Sequence, residues 1–142
     1  MTLASWLHLG DLPQDAFDIA CGRAFLFSQA NVWSSITYRG LVAPGKRAAW
    51  KRQWFFGSIA ITEDWLLVYR GKHPLIRIQY SDPKFDSLIV SAPDPNHLMI
   101  QSDLSVFHST WSGQCDILLG IASSPKVVQC VFELREIAKS TP

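Results

Sequence analysis

Pro44-Gly45-Lys46-Arg47-Ala48-Ala49-Trp50-Lys51-Arg52-Gln53-Trp54-Phe55-Phe56 reads as a basic, turn-prone loop that opens directly into an aromatic strand. Charge around it is uneven. Residues 39 to 77 hold eight of the thirteen Lys and Arg but only two acids, Glu63 and Asp64, so this stretch carries about +6 and the remainder about −5. A formal net charge of +1 therefore hides a polarised molecule.

Outward from this stretch the pattern is that of a β-sheet. From Val32 onward apolar residues recur at every second position: Phe55, Gly57, Ile59 and Ile61, then Leu66 and Val68, then Ile76, Ile78 and Tyr80. Leu88 with Val90, Leu98 with Ile100, and Cys115 through Ile121 continue the series. Between the runs lie Thr62-Glu63-Asp64, Arg70-Gly71-Lys72-His73-Pro74, Ser81-Asp82-Pro83, Pro93-Asp94-Pro95-Asn96 and Ser112-Gly113, all rich in turn formers. Consecutive antiparallel hairpins follow from such spacing.

Both ends of the chain change period. Asp11-Leu12-Pro13-Gln14 is a helix start with a capping acid and a first-turn proline, and Phe17, Ala20, Ala24 and Phe27 form one apolar face, although Phe25-Leu26-Phe27 can equally begin a strand. Ser123-Ser124-Pro125 opens a second helix with Val127, Val131, Leu134 and Ala138 on one stripe and Lys126, Gln129, Glu133, Glu136 and Lys139 opposite. That stripe must be buried against the sheet.

At 142 residues one domain suffices, with 48% hydrophobic and 18% charged residues belonging to a folded globular chain. Met1 to Gly10 hold no Lys or Arg and no long apolar run, so neither a secretory signal nor a membrane-spanning helix is expected, and a cytoplasmic protein is. Cys21, Cys115 and Cys130 are an odd number without a metal-ligand or disulfide spacing and read as reduced core thiols. His8, His73, His97 and His108 are scattered; Asp94 with His97 and Asp103 with His108 are the acid-base pairs that can be drawn. No Gly-x-Ser-x-Gly elbow or phosphate-binding glycine loop is present, and no metal or cofactor is implied. The six tryptophans, Trp6, Trp33, Trp50, Trp54, Trp65 and Trp111, are expected mostly in the core; exposure of Trp6 or Trp50 would point to a partner contact.

Strands followed by one C-terminal helix, with Gly45-Lys46-Arg47 and Trp50-Lys51-Arg52-Gln53-Trp54-Phe55-Phe56 at the first hairpin, resemble the pleckstrin-homology superfold. Gly57-Ser58-Ile59-Ala60-Ile61-Thr62-Glu63-Asp64-Trp65-Leu66-Leu67-Val68-Tyr69 is similar to the corresponding part of GRAM and bacterial pleckstrin-like domains. The resemblance spans roughly residues 32 to 139 and implies an α+β fold: a pleckstrin-like antiparallel β-barrel of about seven strands, a C-terminal capping helix and an extra N-terminal helix. Residues 1-31 are then an N-terminal helical extension packed on the domain and 32-142 the barrel with its helix. Phosphoinositide-binding members place an arginine directly before the strand aromatic, where this chain has Gln53, and their terminal-helix tryptophan is absent, with Phe132 the nearest substitute.

The expected function is a non-catalytic binding or adaptor module. Its contact set is Lys46, Arg47, Lys51, Arg52 and Lys72, facing a protein partner or, weakly and with salt sensitivity, an anionic lipid surface at a peripheral membrane site. Gln53 tips the balance toward protein. A pI of 7.8 disfavours nucleic acid. A small β-barrel carrier of a hydrophobic ligand is the alternative, and a small hydrolase-type enzyme ranks below it.

Overall fold

The chain is seen in a computed structural model that describes residues 12–22 and 25–140. A short helix, α1 (Gln14–Ala20), is followed by β1 (Phe27–Ala43), β2 (Lys46–Ile61), β3 (Trp65–Arg70), β4 (His73–Gln79), β5 (Ile89–Asp94), β6 (His97–Asp103), β7 (Ser112–Gly120) and a long helix, α2 (Ser124–Ser140). Every paired strand is antiparallel, and the order across the sheet is β4-β3-β2-β1-β7-β6-β5. The antiparallel sheet agrees with the alternating pattern, and it curls into a half-barrel. Its two edges, β4 and β5, do not pair with each other.

The β1–β2 hairpin is the spine of this sheet. Pro44-Gly45 closes it in two residues, with proline supplying the first turn φ and Gly45 (φ 73) the left-handed second. The basic residues expected in a loop are therefore already strand: Ala43 pairs with Lys46 and Val42 with Arg47. β1 begins at Phe27, five residues ahead of the boundary read at residue 32. The N-terminal helix is correspondingly shorter than its apolar spacing suggests, because Cys21 (φ 53) and Gly22 (φ 80) turn left-handed and end it. Asp11 and Ala24, part of that helix reading, lie outside the described residues.

The concave face holds one continuous core that includes Ile36, Ile59, Leu66, Val68, Ile76, Leu98, Ile100, Leu119 and Ile121. On the convex face, α1 covers a second and smaller cluster in which Ala16 packs with Ala60, Leu67 and Tyr69. Asp15 fixes the helix there by accepting from the Tyr69 hydroxyl (2.8 Å) and from Arg77 Nη1 (3.2 Å). Burial first, and the bond to Asp15 second, push the Tyr69 phenol above its ordinary pKa.

The two edges carry prolines where a ladder N–H is not needed, Pro74 beside the β3–β4 register shift and Pro93 beside that of β5–β6. Ser112-Gly113, read as a turn, instead opens β7. Register slips there between Arg39 and Val42, where Gly40 (φ 61) faces Gly113 (φ 111). A Cβ on Gly113 would stand 2.5 Å from the Gly40 carbonyl oxygen and 2.8 Å from that of Arg39, so only glycine permits the strands to cross this closely.

Helix α2 packs on β5 and β6 and seals one end of the half-barrel with the expected stripe: Val127 and Val131 buried, Leu134 and Ala138 half-buried. Phe132 does not take the place of the missing tryptophan, because it points away from the core and is 56% exposed. The anchor is Arg135, which the polar-face reading overlooks. It is 7% exposed, donates from Nη1 to the carbonyls of Tyr80 and Asp82, and donates from Nη2 to Asp86 Oδ1 (2.8 Å). Its guanidinium also lies over the Phe85 ring at 5.4 Å.

Two stability predictions follow from these contacts. Gly113→Ala combines an unfavourable φ with a backbone collision, whereas Gly40→Ala meets no atom within 4 Å. The first should cost about 1–3 kcal/mol in urea unfolding and clearly more than the second; equal losses would contradict the close crossing. The Arg135 hydrogen bond, with further help from Lys139, holds the Asp86 carboxyl below its usual pKa. The unfolded chain therefore takes up this proton first on acidification, so the contribution is complete above the ordinary Asp range and fades as pH falls through the lowered native value. Asp86→Asn should flatten the acid limb of the stability curve, measured as unfolding midpoints across a pH series.

Candidate functional site

Strand alternation on the central hairpin sorts its residues into two sets. Val32, Ser34, Ile36 and Tyr38 of β1 share the inner face with Phe55 and Gly57, whereas Trp33, Ser35, Thr37 and Arg39 lie opposite Phe56, Trp54, Arg52 and Trp50 on the outer one. Helix α1 reaches only the far part of this outer face, over Ala60. The nearer part stays open: Trp33 is 54%, Trp50 61%, Trp54 52% and Phe56 60% exposed. Trp33, Trp50 and Trp54 are thus on the surface, against the expectation that the tryptophans lie mostly in the core. Trp65 and Trp111 are half-buried, and Trp6 lies outside the described residues.

These rings are organised among themselves. Trp33 and Trp54 stack across the strands with centroids 5.7 Å apart and planes within 8°, and Phe56 meets Trp33 edge-on at 5.0 Å. Arg52 lies between Trp50 and Trp54, its guanidinium carbon 5.3 and 5.8 Å from the two ring centroids. The Arg52 Nε donates to Thr37 Oγ1 at 3.0 Å, and its terminal nitrogens have no hydrogen-bond partner among the described residues. Arg39 on the same face is paired with Asp116 of β7. The outcome is an aromatic plateau crossed by a held cation.

The five cations singled out from the sequence are all exposed but do not converge in one pocket. Lys46 and Arg47 flank the hairpin turn, Lys51 and Arg52 are consecutive strand residues and leave from opposite faces, and Lys72 sits in the β3–β4 turn. None of the five forms an ion pair among the described residues. Lys72 contributes instead to a cleft of about 500 Å³ at the edge of α1, together with Leu12, Gln14, Asn31 and Phe56. Arg70, on the concave side, donates to Gln53 (2.6 Å) and lies over Phe55 at 5.4 Å. Gln53 thus orients an arginine.

Other candidate chemistry is sparse. Asp94 and His97 meet, with the imidazole Nδ1 2.8 Å from Oδ1, on an exposed β-turn; the His97 bond first and the Asn96 amide second hold the Asp94 carboxyl below its usual pKa. Asp103 and His108 are not hydrogen-bonded to each other, and His108 stacks on Trp111 at 4.1 Å. Of the three free thiols only Cys115 is buried, which pushes its pKa up to about 11; Cys130 is half-buried and Cys21 exposed, so the core reading holds for one of three. Among the described residues no cluster of His, Cys, Asp or Glu is arranged to hold a metal, and no helix is long and apolar enough to cross a membrane. The concave face is filled by side chains, and the cavity between Tyr38, Leu75, Phe107 and Ile117 measures about 30 Å³, roughly the volume of one water.

Comparison with known proteins adds no relative: the chain matches no family model and no curated protein sequence.

The signal for the exposed face was present in the sequence. Trp33 alternates in phase with Ser35, Thr37 and Arg39, and Trp50, Arg52, Trp54 and Phe56 alternate in phase with one another. Arg39 and Arg52 in that phase mark the face that looks outward, although Ser35 and Thr37 themselves are buried.

Proposed function

We propose that this protein is a non-catalytic binding module that docks a protein partner on the outer face of the β1–β2 hairpin. The observation that carries this reading is the exposed plateau of Trp33, Trp50, Trp54 and Phe56 around Arg52. Contiguous displayed aromatics leave apolar surface in water, an unfavourable exposure that a covering partner removes, and Trp and Arg are the residues that dominate contact energies when covered. The cavity between Tyr38, Leu75, Phe107 and Ile117, at about 30 Å³, is too small for a hydrophobic ligand, which supports a surface role. Benzoyl-phenylalanine placed at Trp50 or Trp54 should give discrete photo-adducts in the natural host cell, while the same probe at Lys84 in the turn before β5 should give none. Equal labelling from both sides, or none from the face, would remove the proposal.

An anionic lipid surface is the second reading, favoured by Lys46, Arg47, Lys51, Arg52 and Lys72 being exposed and without ion-pair partners among the described residues. Each cation contributes about 1 kcal/mol at most near such a surface, so the attachment is weak and salt-sensitive. Co-sedimentation with phosphatidylserine-containing vesicles that disappears in a Lys46, Arg47, Lys51, Arg52 to Ala variant would support it. A folded wild-type chain that stays in the supernatant at low salt would end it.

A further inference from the structure

A second unpartnered surface lies on α2. Its inner stripe is spent on the core, and its outer face presents Phe132, 56% exposed, beside the exposed carboxylates of Glu133 and Glu136. Phe132 and Glu136 are one helical turn apart and so stand in line, with Glu133 adjacent. Glu133 accepts a bond from Gln129 (3.1 Å), and neither glutamate has an ion-pair partner among the described residues. This face is an apolar ring beside negative charge. The hairpin face is a set of apolar rings around positive charge.

We propose that the occupant of the hairpin face is the outer face of α2 from a second copy of this chain. The inference rests on the docking role proposed for the hairpin face and names its partner. Charge complementarity carries it: Arg52, with its terminal nitrogens free of partners among the described residues, meets Glu133 and Glu136, while Phe132 settles on the plateau of Trp33, Trp54 and Phe56. The complementarity is local: the cations on the exposed side of α2, Lys126 and Lys139, lie more than a turn from Phe132, and Lys139 is paired with Asp86. One chain cannot close the contact on itself, because α2 packs on β5 and β6 whereas the plateau lies on β1 and β2, on the other side of β7. Two different patches of one molecule meeting in this way make a heterologous, head-to-tail interface that extends or closes into a ring.

Sedimentation velocity of the full chain over a concentration series at low and high salt tests this. Wild type should gain mass with concentration, and lose that gain in salt. Arg52→Glu, and separately a Glu133→Arg/Glu136→Arg double variant, change exposed positions, should leave the thermal midpoint near wild type, and should weaken association by about tenfold or more. Mixed together, the two variants should recover association as alternating head-to-tail assemblies, since the hairpin face of each now meets a helix face of opposite charge on the other, whereas each alone sets like charges against each other. A chain that stays monomeric at every concentration would overturn the self-association while leaving the photo-adduct test of the hairpin face standing. Loss with Arg52→Glu but not with the helix variant would overturn α2 as occupant and retain the hairpin face. Association untouched by either variant would overturn both surfaces, and failure of the mixture to recover association would overturn the pairing of Arg52 with Glu133 and Glu136.

Discussion

A strand has two faces and a core has one, and on the seventeen-residue β1 and sixteen-residue β2 this constraint shapes the molecule. The concave side of the ribbon is committed to the main core through Val32, Ile36, Phe55 and Ile59. Its convex side needs a separate cover. The described residues provide only the seven of α1, which reach Ala60, Leu67 and Tyr69 and go no further along the hairpin. The open aromatic plateau is what remains of a long strand pair after a short helix has been laid on one part of it.

The other half of the fold is tied down by a different physics. Helix α2 is tied to the segment between β4 and β5 by Arg135, whose charged donors collect two carbonyls from just after β4 and a carboxylate from the turn before β5. A buried cation of this kind is costly unless it is nearly fully bonded, and here Nε alone lacks a partner. Hydrogen bonds to a charged donor are individually worth about 1.5–3 kcal/mol, so the set offsets much of the desolvation and gives α2 one orientation. That fixed orientation is also what keeps Phe132 outward.

Most of the strands and both helices were legible from period alone, because alternation and the helical stripe report burial on one side. Elements that depend on φ rather than on hydrophobicity were less so. The left-handed pair Cys21-Gly22 shortens α1, and Gly113 serves a strand crossing although its neighbours look like a turn. The site was half legible. Basic residues 46 to 52 are exposed, yet treating them as a loop joined Lys51 and Arg52 into one set, which the two-fold pleat divides. The general expectation that most tryptophans lie in the core did not single out Trp33, for which Arg39 and Arg52 in the same phase are the better guide. Arg135 was hidden because a charged residue between Leu134 and Glu136 resembles a solvent position.

Arg52 shows why the docking role proposed for this face fits it better than mere solubility. A solvated arginine would sacrifice side-chain freedom on binding, a cost of about 0.5–1.5 kcal/mol for an immobilised long side chain. Here Thr37 holds the Nε and two indoles flank the guanidinium, so much of that ordering has occurred in the free protein. The rings themselves are ordered by each other, Trp33 on Trp54 and Phe56 against Trp33. A partner that covers them gains apolar burial and a charge-assisted contact while ordering few groups on this side. The aromatic-cation pairs that make the face tolerable in water are therefore the same ones that make it ready to be covered.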